Sequence, residues 1–342
     1  MTAATEVAEN AVTPDPPPPP AAGDAGLEFA RTVDRRLVHR AAVSEVLVTD
    51  LRRDGDAFLA GAQLPLSHGY FGDHLRRPAT FDFLLLLEAA RQACTAAGHL
   101  YYGVSRDTVH LVNGLSVRIT DQDALEAGTR PGELVLAGSA VRDEGTDARL
   151  RGLRFDVTAS LAGRQAARIG IDTSTVVDED YRRLRFFQRR SAPPVTEDLD
   201  TTATGRPADP AAVGRANPLN VVLGEPEHAA GGTLSAPVEP RWENRSLFDH
   251  TYDHIPAMVL VEAARQLTHL AGVPVAAPVT ACTARFTRFV ELDSSVTVTT
   301  RTARPGAAGP APDGLLVEFW QNGATVAETD LRFGPAAGEE EA

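Results

Sequence analysis

Leu84-Leu85-Leu86-Leu87-Glu88-Ala89-Ala90-Arg91-Gln92 returns as Met258-Val259-Leu260-Val261-Glu262-Ala263-Ala264-Arg265-Gln266, 174 positions further along a chain of 342 residues. Each copy reads as a helix in which an apolar run leads to a carboxylate and a guanidinium three residues apart, on one face. Leucine at four consecutive positions implies a helix covered on most of its circumference. Upstream, Val38-His39-Arg40-Ala41 aligns with Val213-Gly214-Arg215-Ala216, and Val46-Leu47-Val48 with Val221-Val222-Leu223, at an offset of 175. A period this long marks a duplicated domain, since solenoid repeats run to about 20–50 residues.

Strand-like runs flank each helix. In the first copy they fall at 37–50 and 56–64, with a turn at Arg53-Asp54-Gly55, and then at 108–119, 133–142, 148–160 and 165–172. The second copy repeats the order: strands at 217–224 and 231–237, a helix at 256–271, then strands at 279–289, 294–303, 314–321 and 324–333. The first helix is expected over 80–98, capped by Thr80 and ended by Gly98, and Pro256 suits the first turn of the second. The order predicts an α+β fold, an antiparallel sheet wrapped round one long central helix, used twice in tandem. The expected boundaries are a disordered N-terminal tail at 1–28, a first domain at 29–173, a linker at 174–212, a second domain at 213–334 and an acidic tail at 335–342. Tyr181 to Arg190, within the linker, suits a short amphipathic helix over a sheet edge.

Composition removes several classes of function. A formal charge of −13 argues against nucleic acid, because phosphate contacts need a basic surface. All 33 basic residues are arginine, so lysine Schiff-base chemistry is excluded. The two cysteines, Cys94 and Cys282, show no metal-type spacing, and neither a metal, a cofactor nor a disulfide is expected. The longest apolar run, Phe83 to Leu87, is too short to span a membrane, and the N-terminal stretch lacks a signal-peptide pattern, so a cytoplasmic protein with no membrane partner is expected.

A Glu and an Arg three apart are ordinarily a surface pair. Here both copies sit among apolar neighbours, and a buried charge is costly unless paired or used. Glu88 with Arg91, and Glu262 with Arg265, are therefore either reacting groups or structural ion pairs holding the halves together. Gln92 and Gln266 could orient the carboxylates or bond backbone. An Asp-His step precedes each helix, Asp73-His74 and Asp249-His250, which makes His74 and His250 candidates; His254 reads as structural.

The pairing of His74 with Glu88, behind an apolar run, resembles the hotdog fold of acyl-thioester enzymes. From about Val38 to Phe333 the chain resembles the A-factor (γ-butyrolactone) biosynthesis family. The resembling segments are Val38-His39-Arg40, Asp73-His74-Leu75-Arg76-Arg77-Pro78, the first Glu-Ala-Ala-Arg-Gln motif, and Phe248-Asp249-His250-Thr251-Tyr252-Asp253-His254-Ile255-Pro256 with the second motif. The resemblance implies a double hotdog. It implies transfer of a 3-oxoacyl group from acyl carrier protein to the hydroxyl of dihydroxyacetone phosphate, giving the precursor of a γ-butyrolactone, butenolide or furan signal. It carries activity to Glu88, Arg91, Glu262 and Arg265. Such a transfer needs a base, for which a glutamate of raised pKa, Glu88 or Glu262, would serve beside His74 and His250. It needs N–H donors for the thioester oxygen, as at a buried helix N-terminus. It needs positive charge for the phosphate, from Arg91 or Arg265 with Gln92 or Gln266 alongside. Cys94, six residues past Glu88, is expected to face away, which favours direct transfer. The site is expected between the halves, loop of one against helix of the other, and the shorter His-to-Glu spacing of the second copy suggests inequivalent halves. A two-copy chain suits a monomer containing its own pseudo-dimer, or a homodimer. The alternatives are a dehydratase or thioesterase acting on acyl carrier protein substrates, or a non-catalytic acyl-binding module.

Overall fold

In the computed structural model, which describes residues 26–144, 150–199, 205–228, 233–300 and 314–335, the leucine run opens a 19-residue helix, α1 (Phe83–Tyr101), with all four leucines buried. At about 1.5–3 kcal/mol for each buried leucine, this run anchors its half of the molecule. Around it lie β1 (Val48–Asp54), β2 (Ala57–Leu64), β3 (Thr108–Ile119), β4 (Gly132–Glu144), β5 (Leu150–Leu161) and β6 (Arg164–Val177). A second helix, α2 (Asp178–Arg189), leads to the other half: β7 (Glu227–His228), β8 (Leu234–Pro237), α3 (Ala257–Leu270), β9 (Val279–Phe286), β10 (Thr297–Thr300), β11 (Gly314–Gln321) and β12 (Ala324–Phe333).

The described strands form one 12-stranded sheet in the order β1-β2-β4-β5-β6-β3-β9-β12-β11-β10-β8-β7. The order is the same from either end, with β7 in the place of β1, β8 of β2, β10 of β4, and so on to β9 facing β3. The antiparallel seam between the halves sets Leu115 opposite Ala284 and Val117 opposite Cys282. Two hotdogs thus share one sheet, as the duplication predicts. Among the described residues no helix is long and apolar enough to cross a membrane.

Five local expectations are corrected. The stretch 37–50 forms 3-10 turns at Arg35–Leu37 and Val43–Glu45 before β1 starts at Val48. Its apolar alternation reflects burial over α1, where the Gln92 side chain binds Glu45 O and Leu47 N and replaces strand partners. Likewise 217–224 is a turn at Pro218–Asn220 tied to Gln266, with isolated bridges at Leu223 and Gly224. The cap of α1 is Asp82, accepting from Leu84 N at 2.8 Å, because Thr80 already pairs with Glu126 as a bridge. Gly98 lies buried inside α1, which runs on to Tyr101. The helix expected between the domains does form, but it packs on β6 and β3 at the middle of the sheet, away from either edge. The tails expected at 1–28 and 335–342 lie outside the described residues except for 26–28 and 335.

Candidate active site

The two motifs are built alike at their base. Glu88, 2% exposed, accepts from Arg91 Nε (2.8 Å), Arg91 Nη2 (2.9 Å), Gln92 Nε2 (2.7 Å) and Arg40 Nη2. Glu262, 0% exposed, accepts from Arg215 Nε (2.9 Å), Gln266 Nε2 (2.6 Å), Tyr70 Oη (3.2 Å) and Arg265 Nη2. Arg40 and Arg215 are the residues at offset 175 in the upstream repeat. Gln92 and Gln266, expected to orient the carboxylates or bond backbone and to stand beside the phosphate, do both of the first two. Both are fully buried, and each divides its amide between its glutamate and the backbone of the preceding loop.

Beyond that base the copies diverge. Arg265 reaches past Glu262 to Asp82 (2.5 Å) and lies 5.5 Å from the centre of the Phe83 ring. Burial opposes the charge of Asp82, yet Arg265 and Arg215 lower its pKa to about 2. At the same offset of 174, Asp82-Phe83 is replaced by Pro256-Ala257, and at the offset of 176 that relates His74 to His250, Tyr70 corresponds to Ser246. The three side chains packed against Glu262 or Arg265 are therefore small or uncharged in the other copy. Around Arg265 about 40 Å³ of space remains, room for a few waters. Glu88 and Arg91 instead border a cavity of about 670 Å³, within the range of small-molecule sites. Glu262 and Arg265, expected as a second reacting pair, sit in a buried ion cluster with little adjoining space.

Both halves line the large cavity. Arg91 has its Glu88 fork but, among the described residues, no second carboxylate, and its side chain is 22% exposed. Ser246, His250, Ala257 and Met258 come from the other half, and Val112, Phe155, Ile171, Leu260, Phe286 and Phe289 supply apolar wall. Tyr181, Leu184 and Gln188 of α2 close one side. That helix is pinned by Arg185 to Asp253 and Glu291, and by Arg189 to Glu291 and Asp293. The N-terminus of α3 lines the cavity without a side-chain cap, and among the described residues the N–H groups of Ala257 and Met258 have no partner.

The Asp-His loops cross between halves. Asp249 accepts from Ala41 N (2.6 Å) and Ala42 N (3.0 Å), and Asp73 accepts from Ala216 N (3.1 Å) and Asn217 N (3.0 Å). This brings His250 to the Glu88–Arg91 cavity and His74 to the small gap beside Arg265. His250 Nδ1 lies 3.6 Å from Asp249 Oδ2; burial, then the Arg40 charge, lower its pKa below the usual 6.5. His74 Nε2 contacts Thr80 O at 3.1 Å, and burial lowers its pKa too.

Two expectations about charge are corrected. Burial alone would raise the pKa of Glu88, but Arg40 and Arg91 outweigh it and hold the carboxyl well below its ordinary range. Glu88 is thus a fixed anion and a poor base. Cys94, three residues past Arg91, shares the arginine's face and lines the cavity instead of pointing away. Burial raises the pKa of its thiol and keeps it protonated.

Sequence reasoning missed Arg40, Arg215, Tyr70 and Asp82. The first two stand in the upstream repeat and carry a signal that spacing alone left silent; Tyr70 and Asp82 differ between the copies. It also missed His39, His99 and His110, whose rings gather beside the cavity. Burial, then the neighbouring histidine charges, lower the pKa of His39 to about 4 and that of His110 to about 3.

The model of the A-factor biosynthesis hotdog domain matches residues 22–177 and 196–336. A 2-oxo-3-(phosphooxy)propyl 3-oxoalkanoate synthase of Streptomyces virginiae is 34% identical over 77% of this chain and 84% of its own length. Proteins of the same name are 31% identical in Streptomyces coelicolor, over 90% of this chain and 93% of the relative, and 32% identical in Streptomyces griseus, over 92% and 99%. Among solved structures, a 12:0-ACP thioesterase from Umbellularia californica aligns with a TM-score of 0.44 at 12% identity, over 83% of this chain and 99% of that one.

Proposed function

The chain belongs to the A-factor biosynthesis hotdog family, and from that premise we propose that it transfers a 3-oxoacyl group from acyl carrier protein to the hydroxyl of dihydroxyacetone phosphate. It does so as a cytoplasmic enzyme whose two halves act as an internal dimer, with one working site in the cavity beside Glu88 and Arg91. The single observation that carries this reading is the unequal treatment of two equivalent arginines. Arg265 is held between two carboxylates in a gap of about 40 Å³, whereas Arg91 has one carboxylate, shared with Arg40, and faces about 670 Å³. A guanidinium with charge to offer beside an apolar-walled chamber suits a substrate pair of one phosphate and one acyl chain.

Arg91 takes the phosphate of the acceptor, and Glu88 with Arg40 fixes its orientation. His250, neutral at pH 7 because its pKa is lowered, removes the proton from the attacking hydroxyl, while Asp249 stabilises the imidazolium that forms. The free N–H groups of Ala257 and Met258 at the start of α3 receive the oxyanion. The C–O bond forms, the C–S bond breaks, and the thiolate leaves with the proton that His250 took. Glu262, Arg265 and His74 hold the other half in shape. The apolar wall, including Val112, Phe155, Ile171 and Phe286, receives the acyl chain.

The test is an incubation of the protein with a 3-oxoacyl thioester, with and without dihydroxyacetone phosphate, followed by mass analysis. The phosphorylated 3-oxoacyl ester is expected only when both are present. Thioester loss at a rate independent of the acceptor would make the protein a thioesterase, and a 2-enoyl product from a 3-hydroxyacyl thioester would make it a dehydratase.

A further inference from the structure

We propose that His39, His99 and His110 form a binding site for one divalent transition-metal ion of the zinc class in the wall of the cavity. One ring nitrogen from each histidine lies within 4.8 Å of the other two. The three ring centres form a nearly equilateral triangle with sides of 5.0, 5.1 and 5.0 Å. A tetrahedral ion with Zn–N bonds of about 2.0–2.1 Å, and ring centres roughly 1.2 Å beyond the nitrogens, sets such centres about 5.2 Å apart. The Nε2 atoms of His39 and His99 now stand 2.8 Å apart, so a small opening of that pair seats the ion.

Three further features belong to a ligand set. His99 Nδ1 lies 3.1 Å from Val104 O; donating there, it leaves the Nε2 lone pair directed into the cluster, the usual outer support of a metal-bound imidazole. His110 Nε2 is buried and has no hydrogen-bond partner among the described residues. His39 sits at φ +52°, in the left-handed region, where the second half has Gly214 at φ +75°. Glycine is the unstrained residue for that conformation, and a strained non-glycine residue there points to a use for its side chain. An all-imidazole set selects zinc, nickel or copper over magnesium or calcium. His39 and His110 line the cavity, so a water from it completes the coordination. The ion site stands apart from the transfer reaction and is tested without it.

Tag-free full-length protein is dialysed against ZnCl2 and its metal content measured. About one equivalent is expected, with affinity falling at least tenfold in His39→Asn, which tolerates the left-handed backbone, and in His110→Gln. Cobalt(II) titration of the unaltered chain gives a readout that needs no variant to fold, and intense visible bands of a tetrahedral ion are expected. No zinc uptake, unchanged affinity in both variants, or a weak octahedral cobalt spectrum would each overturn the site and leave the three rings as a hydrogen-bonded cluster. Loss of acyl transfer in the earlier assay with zinc uptake retained would overturn the reaction and not the site.

Discussion

Replacing each motif arginine in turn separates what the two copies do. Arg91→Gln removes a cation from a carboxylate that keeps Arg40 and Gln92 as donors, at a position open to water. Little stability is at stake, but a charge-assisted fork to the acceptor phosphate is lost. Such contacts contribute about 1.5–3 kcal/mol, so kcat/KM for dihydroxyacetone phosphate should fall roughly 10- to 150-fold. Arg265→Gln instead leaves Asp82 buried without its ion-pair partner and Glu262 with Arg215 alone. Stripping one partner from a buried cluster costs about 3–5 kcal/mol. With an unfolding entropy of about 2.1 cal/mol/K per residue over the chain, the melting temperature should drop by about 4–7 °C. The assay pairs scanning calorimetry with turnover per folded molecule at a temperature well below both transitions. The reasoning fails if Arg91→Gln keeps kcat/KM within threefold, or if Arg265→Gln loses turnover while its melting temperature holds.

Ala257→Phe restores at the working site the side chain that plugs the other; kcat/KM should fall roughly tenfold or more with the melting temperature little changed, and an active variant would show that the chamber is not where reactants meet. His250→Asn should lower kcat by about 10²–10⁴. Because the pKa of His250 lies below 6.5, kcat/KM of the unaltered protein should be level above that pH and decline as pH falls beneath it; an acid limb centred above pH 7 would remove His250 as the base. Asp82, whose pKa falls from 3.8 to about 2 on folding, is protonated more readily when unfolded, so the stability it lends is complete above 3.8 and disappears as pH falls through about 2. That contribution is about 2 kcal/mol at 1.36 kcal/mol per pKa unit, and urea midpoints at pH 5 and pH 2.5 should differ less in Asp82→Asn than in the unaltered chain.

The architecture was legible because it rests on periodicity and duplication, which one sequence displays. The four strands after α1 were readable for this reason, β3 down to its end residues. The stretches 37–50 and 217–224 were not. Their apolar alternation mimics a strand, and only the docked amides of Gln92 and Gln266 reveal that the backbone finds its partners on a helix. The glutamates and arginines announced themselves by repetition, yet repetition cannot tell an open site from a closed one. That difference lies where the copies disagree, at Tyr70, Asp82 and Phe83 against Ser246, Pro256 and Ala257. The sign of the Glu88 shift depends on Arg40, 48 residues away in the chain. The histidine triangle draws on three separate elements, so no spacing rule could assemble it.

The β3–β9 seam, finally, lies within one polypeptide, where two identical subunits would otherwise form it by association. In a symmetric pair every substitution strikes both interfaces at once, so a phenylalanine that braces one chamber would choke its twin. Covalent fusion removes that constraint. One copy was free to harden around a neutralised ion cluster while its sibling stayed hollow, and a single chain can carry its rigidity and its chemistry at separate addresses.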